Sequence, residues 1–297
     1  MRPKHVLQIV LLSAVWGVSF LMMRIAVVTF PPLWISLLRC ALGASLMWIV
    51  LLVGGYKLPP RRLLPWLLLI ALLNNAVPFT FFAWGERTVP SNIASVLNAT
   101  VPIWTLLFSM LVFRTGTGPR TIAGVLLSFA GVLFVVVARA GGAGAGEVPS
   151  GTLGGTIIIA LAAVSYAIAT LTAKAKLRGL DPMGLATSQL TLASEMLLPV
   201  ALAGEHPSSL RLGPVGAVVV LGFAGSGIAY LLYYRLLQEI SATQLAGVTY
   251  LMPIWGLFWG LFANEAIGLS ACLGVAVTIG GLVLMNMPSP APVIRAG

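Results

Sequence analysis

The residues of this sequence that could do chemistry are few. Among 297 residues there are two His, two Cys and seven Asp or Glu. His5 and His206 lie outside the long apolar segments of the chain, so neither can act as the base that a nucleophile such as Ser226 would need. Cys, His and Asp also do not cluster in the way that metal ligands do. We therefore expect a protein that is not an enzyme and that holds no metal and no cofactor.

Neutral polar and aromatic side chains within the apolar segments are better candidates for function. Long apolar segments are typical of membrane-spanning chains, and a polar group within the hydrocarbon of a membrane is energetically costly unless it faces a partner or a cavity. Aromatic rings that stack on an apolar group, with amides and hydroxyls that hold a polar head, suit a neutral or zwitterionic solute. The alternative is that these side chains only pack and hydrogen-bond between helices. The predicted binding residues are Trp16, Asn75, Phe79, Phe82, Asn98, Tyr166, Tyr230, Tyr233, Thr249 and Tyr250.

Four further residues are candidates for gating or for an ion pair. Arg39 lies seven residues after Pro32, which stands at the outer end of the second long apolar segment. At a rise of 1.5 Å per residue this places Arg39 about 10 Å below the outer surface of a membrane, and Glu195 lies at a similar depth. These two side chains could pair with each other, or Arg39 could bind a substrate carboxylate, and depth does not decide between them. Pro102 and Pro253 each free a backbone carbonyl, which can serve a kink, a hinge or a ligand.

The elements that must position these residues are membrane-spanning helices. Hydrophobic residues make up 59% of the chain and charged residues 8%, with a mean hydropathy of +1.02, whereas soluble proteins carry roughly a quarter charged residues. A span needs about 20 mostly apolar residues. The sequence predicts ten such spans, at 6–26, 33–53, 64–85, 90–112, 119–138, 153–174, 183–203, 214–235, 240–262 and 267–287.

The net charge of +10 is explained by membrane topology. With the N-terminus in the cytoplasm, twelve of the 17 Lys and Arg fall at cytoplasmic ends of spans, four fall at outer ends and Arg39 lies inside a span. This asymmetry follows the positive-inside rule, so the charge requires no nucleic-acid partner. The basic N-terminus and the apolar run after it resemble a signal peptide, but the run has the length of a full span, and we interpret it as an uncleaved first helix.

The predicted spans form two similar sets of five. The tripeptide Pro-Ile-Trp at 102–104 returns at 253–255, and Gly124 and Gly131 in the fifth span have counterparts 150 positions later in the tenth. Because five is an odd number, the second set crosses the membrane in the opposite sense, which predicts an inverted repeat with a substrate site between the halves. The predicted all-α polytopic architecture is a first repeat at 1–140, a Gly-rich periplasmic linker at 141–152, a second repeat at 153–287 and a cytoplasmic tail at 288–297.

Several of these features resemble the drug/metabolite transporter superfamily, and within it the ten-helix EamA-type exporters. They are Trp16-Gly17 in the first span, the prolines before Arg39 in the second, the uncharged hairpin into the fourth, and the glycines of the fifth and tenth. The resemblance implies an inner-membrane carrier with both termini in the cytoplasm, peripheral fifth and tenth helices, and a central cavity formed partly by helices 3, 4, 8 and 9. The aromatic-rich spans are most similar to YddG-type exporters of aromatic and neutral amino acids.

We therefore expect export of small neutral metabolites, in particular aromatic and other large neutral amino acids, by alternating access through a central cavity. The alternatives are a multidrug efflux carrier of the same fold and a non-transporting membrane scaffold. Cation efflux of the small multidrug type would need a carboxylate in the first span, which has none. The predicted cavity faces also lack Asp, Glu and His, which favours facilitated diffusion and leaves Glu195 as the one candidate proton carrier.

The expected partners are an amino-acid-like solute and the lipid bilayer. Gly256 and Gly260 form a pair of small residues four positions apart, which is typical of close helix packing. The pair could support a weak homodimer or pack inside a monomer.

Overall fold

The structure, a computed structural model, describes residues 3–113, 118–140, 151–240, 245, 247–265 and 267–287, and these residues form helices and no strand. The predicted linker lies outside them except for Gly151 and Thr152, and the predicted tail at 288–297 lies wholly outside them. The apolar helices are α1 (Pro3–Ala26), α2 (Pro32–Gly54), α3 (Arg61–Gly85), α4 (Ser91–Val112), α5 (Pro119–Ala140), α6 (Thr152–Lys176), α7 (Pro182–Ala203), α8 (Leu212–Leu236), α9 (Gly247–Phe262) and α10 (Leu269–Asn286).

The predicted all-helical membrane fold is confirmed in the described part of the chain. Helices α1 to α8 are long and apolar enough to cross a membrane, and α9 and α10 are shorter apolar helices at the places of the ninth and tenth predicted spans. The length and hydropathy of each segment were sufficient to predict it, because a chain in hydrocarbon must satisfy its backbone polar groups within each segment.

Two of the helices are interrupted at equivalent places. A wider π-helical turn occupies Leu72–Ala76 in α3 and Phe223–Ile228 in α8, and the two turns begin 151 positions apart. In α3 the turn precedes Pro78, which has no backbone N–H to continue the ladder, and the carbonyl of Leu73 accepts a hydrogen bond of 2.8 Å from the Ser165 hydroxyl. Turns of this kind are frequent at functional sites.

The helices pack in a pattern that is preserved when the first five are exchanged with the last five. Helix α1 packs against α8 and α9, and α6 packs against the corresponding α3 and α4. Helix α2 packs against α7, and α5 packs against α10. These contacts place α5 and α10 together at one side, and the other eight helices surround the centre of the molecule.

Glycines permit the closest of these contacts. A Cβ atom on Gly131 in α5 would lie 2.6 Å from the backbone nitrogen of Thr278 in α10, so the two backbones can approach only without a side chain there. Gly256 and Gly260 of α9 are buried against Ser95 and Asn92 of α4. The pair is therefore used for packing inside the monomer.

Candidate functional site

A cavity of about 720 Å³ lies at the centre of the molecule, with wall residues from α1, α2, α3, α4, α6, α7, α8 and α9. Eight of the 25 residues that line it are aromatic, and most of its polar groups are uncharged amides and hydroxyls. Eight of the ten predicted binding residues line it: Trp16, Phe79, Phe82, Asn98, Tyr166, Tyr230, Tyr233 and Thr249. The structure therefore brings together side chains that are separated in sequence by more than 230 positions.

The other two predicted binding residues do not line the cavity. Asn75 is fully buried behind the wall, where its Nδ2 donates a 2.9 Å hydrogen bond to the hydroxyl of Tyr230. Tyr250 follows Thr249 on α9 and, about 100° further round the helix, packs instead on the cluster that contains Ile103 and Leu282. Asn75 thus positions a wall residue, and Tyr250 is part of the packing between helices.

The aromatic rings of the wall contact one another in two groups. The Phe82 ring lies 5.6 Å from that of Phe20 and 6.3 Å from that of Tyr166, between centroids. In the second group, the Trp16 ring lies 5.6 Å from that of Tyr233. Tilted and edge-to-face pairs at these distances are favourable, so the rings hold one another in place while their remaining surfaces face the cavity.

Arg39 of α2 is the charged residue deepest in the wall. Its side chain is 7% exposed, its Nε donates a 3.1 Å hydrogen bond to the hydroxyl of Ser226 in α8, and its guanidinium carbon lies 3.8 Å from the centroid of the Phe79 ring. Glu195 is exposed on α7 and forms no ion pair with Arg39. The alternative in which these two side chains pair is therefore wrong.

The two predicted gating prolines lie in α4 and α9. Pro102 is partly buried and follows the short break in α4 between Asn98 and Val101, because it has no N–H to bond to the Asn98 carbonyl. Pro253 is buried inside α9, where the helix continues through it. The two helices that carry the repeated Pro-Ile-Trp motif thus respond to proline in different ways.

Sequence analysis missed a hydrogen-bonded chain across the wall. The Nδ2 of Asn74 donates to Oε1 of Gln189 at 2.9 Å, and Nε2 of Gln189 donates to the hydroxyl of Tyr234 at 3.3 Å. All three residues line the cavity. The signal was present in the adjacent pair Asn74-Asn75, but the π turn that contains the pair decides which of the two faces the cavity.

The cavity reaches the surface at one end of the molecule. Lys174 and Arg178, at the connection from α6 to α7, are exposed and also line the cavity. At the opposite end the wall residues Met23 and Phe82 are buried. We call these the α6–α7 end and the α3–α4 end, after the helix connections that lie there; the first is open and the second is closed.

Contacts between helix connections hold the α3–α4 end closed. Nη1 of Arg24 donates to the backbone carbonyl of Glu86, and Arg87 pairs with Glu205 at 3.3 Å. The backbone N–H of Ser208 donates to the carbonyl of Thr29 at 2.9 Å. The contacts between Arg87 and Glu205 and between Ser208 and Thr29 link the first five helices to the last five, so opening this end would require them to break.

Sequence analysis also missed Glu86, which lies in the connection from α3 to α4. Its side chain is fully buried, and neither carboxyl oxygen makes a hydrogen bond to a described residue. Burial raises the pKa of Glu86 well above its ordinary value, and the carboxylate of Glu265 raises that pKa further, whereas Arg24 and Arg39 lower it. The sequence predicts that an acid just beyond a helix end is exposed. Glu86 is buried instead because neighbouring helix connections cover it.

Comparisons with known proteins agree with this architecture. The EamA-like transporter family model matches the chain twice, at residues 3–137 and 153–287. The chain is 30% identical over 295 residues to a protein of Escherichia coli (strain K12) named uncharacterized inner membrane transporter YedA. The alignment covers 96% of this chain and 94% of that protein. It is 25% identical to the uncharacterized transporter YvbV of Bacillus subtilis (strain 168), in an alignment that covers 98% of this chain and 94% of that protein.

A solved crystal structure also has a similar fold. It superposes with a TM-score of 0.68 at 20% sequence identity and covers 96% of each chain. At this level of identity the superposition supports the arrangement of helices and carries nothing about the solute. With the family model matched over nearly the whole chain and a relative at 30% identity, this protein belongs to the EamA-like transporter family.

Proposed function

We propose that the protein exports aromatic and other large neutral amino acids across the inner membrane by alternating access. The observation that carries this proposal is the central cavity of about 720 Å³, which has an aromatic wall, neutral hydrogen-bonding groups and an opening at one end only. Ligand sites of about 300–1,000 Å³ enclose most of the surface of a small molecule, and aromatic rings favour a solute with a large apolar side chain.

The inverted repeat is part of the proposal. The equivalent π turns in α3 and α8, the exchange of helix contacts between the two sets of five and the double match of the family model support the repeat. The positive-inside pattern supports cytoplasmic termini, and the name of the E. coli relative supports the inner membrane. With this orientation, the open α6–α7 end faces the cytoplasm and the linker at 141–152 lies in the periplasm.

Alternating access then requires the α3–α4 end to open while the α6–α7 end closes. The π turns and the break at Pro102 are places where a helix can bend without losing a complete hydrogen-bond ladder. Asp, Glu and His are absent from the described wall of the cavity, so solute moves down its own gradient.

Counterflow of radiolabelled phenylalanine in reconstituted vesicles tests the proposal. We expect the wild type to exchange phenylalanine and leucine, and Phe82→Ala, which removes a ring from the wall, to lower the rate. Phe134→Ala, on the exposed side of α5, is the control and should leave the rate unchanged. Transport of large organic cations instead would support a multidrug carrier, and no transport across a broad metabolite panel would support a scaffold.

A further inference from the structure

Charge is distributed unevenly over the wall of the cavity. Arg39 lies deep in the wall, and Lys174 and Arg178 lie at its open end. Among the described wall residues there is no Asp, Glu or His to balance these three cations. An entering anion is therefore attracted at the opening and again at depth, whereas an ammonium group finds no opposite charge.

Arg39 is held in place with part of its guanidinium unused. Nε bonds to the Ser226 hydroxyl and the planar group lies over the Phe79 ring, but Nη1 and Nη2 make no hydrogen bond to a described residue. The wall residues Gly225 and Ser19 lie beside this end of the side chain, because a Cβ on Gly225 would lie 2.7 Å from Oγ of Ser19 and 3.7 Å from Nη2. The terminal nitrogens are thus available to a ligand in the cavity.

No acidic side chain of the described chain forms an ion pair with Arg39. Glu195 is exposed on α7, and Glu86, which interacts electrostatically with Arg39, lies in the connection at the closed end and makes no hydrogen bond to it. A buried unpaired charge is unfavourable unless a partner is supplied. The guanidinium presents parallel N–H groups that match the two oxygens of a carboxylate, so a carboxylate ligand would provide both the missing charge and the missing acceptors.

We propose that the preferred solute is a monocarboxylate with an aromatic or similarly large apolar group and no ammonium group, and that Arg39 binds its carboxylate. This inference goes beyond the proposed function, because it ranks carboxylates without an ammonium group above amino acids as ligands of the same cavity. The apolar group would lie among Phe82, Tyr166 and Trp16. A single deep cation matches a single negative charge, so dianionic phosphate esters fit this site less well.

Three ligands that share a phenyl ring test the charge preference. They are 3-phenylpropanoate, phenylalanine, which adds the ammonium group, and 2-phenylethylamine, which lacks the carboxylate. Binding to the purified wild-type protein is measured by titration calorimetry at pH 7.5, because neutral acids cross vesicle membranes unaided and would obscure flux. We expect 3-phenylpropanoate to bind at least about tenfold more tightly than phenylalanine, and 2-phenylethylamine to bind least.

Variants test the role of Arg39 itself. Arg39→Gln should weaken 3-phenylpropanoate binding about 30-fold or more, since removing one member of a buried charge pair costs at least about that factor. The preference for the acid over phenylalanine should disappear with it. Arg39→Lys should retain part of the affinity, and Arg235→Gln, on the exposed side of α8, should bind as the wild type does.

The outcomes separate this inference from the proposed function. Phenylalanine binding as tight as 3-phenylpropanoate binding would overturn the inference and leave amino-acid transport standing, and so would unchanged binding by folded Arg39→Gln. If that variant does not fold, the ligand series on the wild type still decides. Failure of all three ligands to bind, with no phenylalanine counterflow, would overturn both.

Discussion

The carboxylate of Glu265 accepts a 2.7 Å hydrogen bond from the backbone N–H of Ser91, the first residue of α4. Its other oxygen accepts from the N–H of Asn92 at 3.0 Å. Glu265 follows Asn264, whose φ of 53° turns the chain back after α9. A residue of the second set of five helices thus caps a helix of the first set, at the end of the molecule where the cavity is closed.

Removal of this cap should destabilise the protein. An anionic acceptor at a helix N-terminus satisfies unpaired N–H groups and interacts favourably with the helix dipole. We expect Glu265→Ala to lower the free energy of unfolding by about 0.5–2 kcal/mol, measured by thermal unfolding in detergent. Glu205→Ala is the control, because its pair with Arg87 is exposed and is worth about 1 kcal/mol or less. Equal losses in the two variants would contradict the capping role.

The buried carboxyl of Glu86 should make stability depend on pH. Its pKa in the folded protein is raised by burial above the value of about 4.3 that Glu has in an unfolded chain. The contribution of Glu86 to the free energy of unfolding is therefore fully present below about pH 4.3, and it is lost as pH rises through the folded-state pKa. We expect the Tm of the wild type to fall from pH 5 to pH 8 and that of Glu86→Gln to fall less. Parallel curves for the two proteins would show that Glu86 is not the group responsible.

A matched exposed acid controls for general charge effects in that experiment. Glu205→Gln removes a carboxyl that lies beyond the end of α7 and is exposed. Its Tm should follow the wild-type curve across the same pH range. Glu86→Gln should also be at least as stable as the wild type at pH 8, because the amide cannot ionise.

The contact between α5 and α10 should tolerate no side chain at Gly131. A Cβ there would lie 2.6 Å from the backbone of Thr278, whereas a Cβ on Gly280 of α10 has no atom within 4 Å. We expect Gly131→Ala to cost about 1–3 kcal/mol of unfolding free energy through overpacking. Gly280→Ala should be neutral or stabilising by about 0.5–1 kcal/mol. Thermal unfolding of both variants compares the same substitution in the two settings, and equal Tm values would contradict the close contact.

These glycines show what the sequence could predict. Hydropathy predicted the helices, because each apolar segment satisfies its own backbone groups. Glycines at matching positions in the two sets predicted two similar helices, and the structure explains them by the close contact between α5 and α10. Most of the aromatic wall was also predicted, because its rings recur at helical spacing next to neutral polar groups within the apolar segments.

The parts that could not be predicted depend on local backbone geometry and on distant partners. The π turn in α3 directs Asn74 to the cavity and Asn75 to the Tyr230 hydroxyl, and helical spacing alone assigns the two residues the wrong way round. Glu86 is buried by connections remote in sequence. Arg39 and Glu195 were predicted at similar depths, but depth does not give the side of the helix that a residue occupies. Arg39 faces the cavity and Glu195 is exposed, so the two side chains do not meet.

The inverted topology is tested by the location of the chain between the two sets of helices. Reporter fusions placed within residues 141–150, and cysteine labelling from either side of the membrane, should report the periplasm. A reporter at the C-terminus should report the cytoplasm and serves as the control for insertion. A cytoplasmic location for residues 141–150 would contradict an odd number of spans in the first set and with it the inverted repeat.

The last prediction concerns energy coupling. A proton-driven carrier needs an ionisable group on the pathway that is exposed to each side in turn, and the described wall of the cavity has no Asp, Glu or His. Glu195 is the acid well inside a span, and it is exposed on α7 away from the cavity. We therefore expect Glu195→Gln to keep nearly full phenylalanine counterflow, and an imposed pH gradient to leave wild-type flux unchanged. Uphill accumulation of solute under a pH gradient, together with its loss in Glu195→Gln, would show instead that Glu195 carries a proton and that transport is coupled.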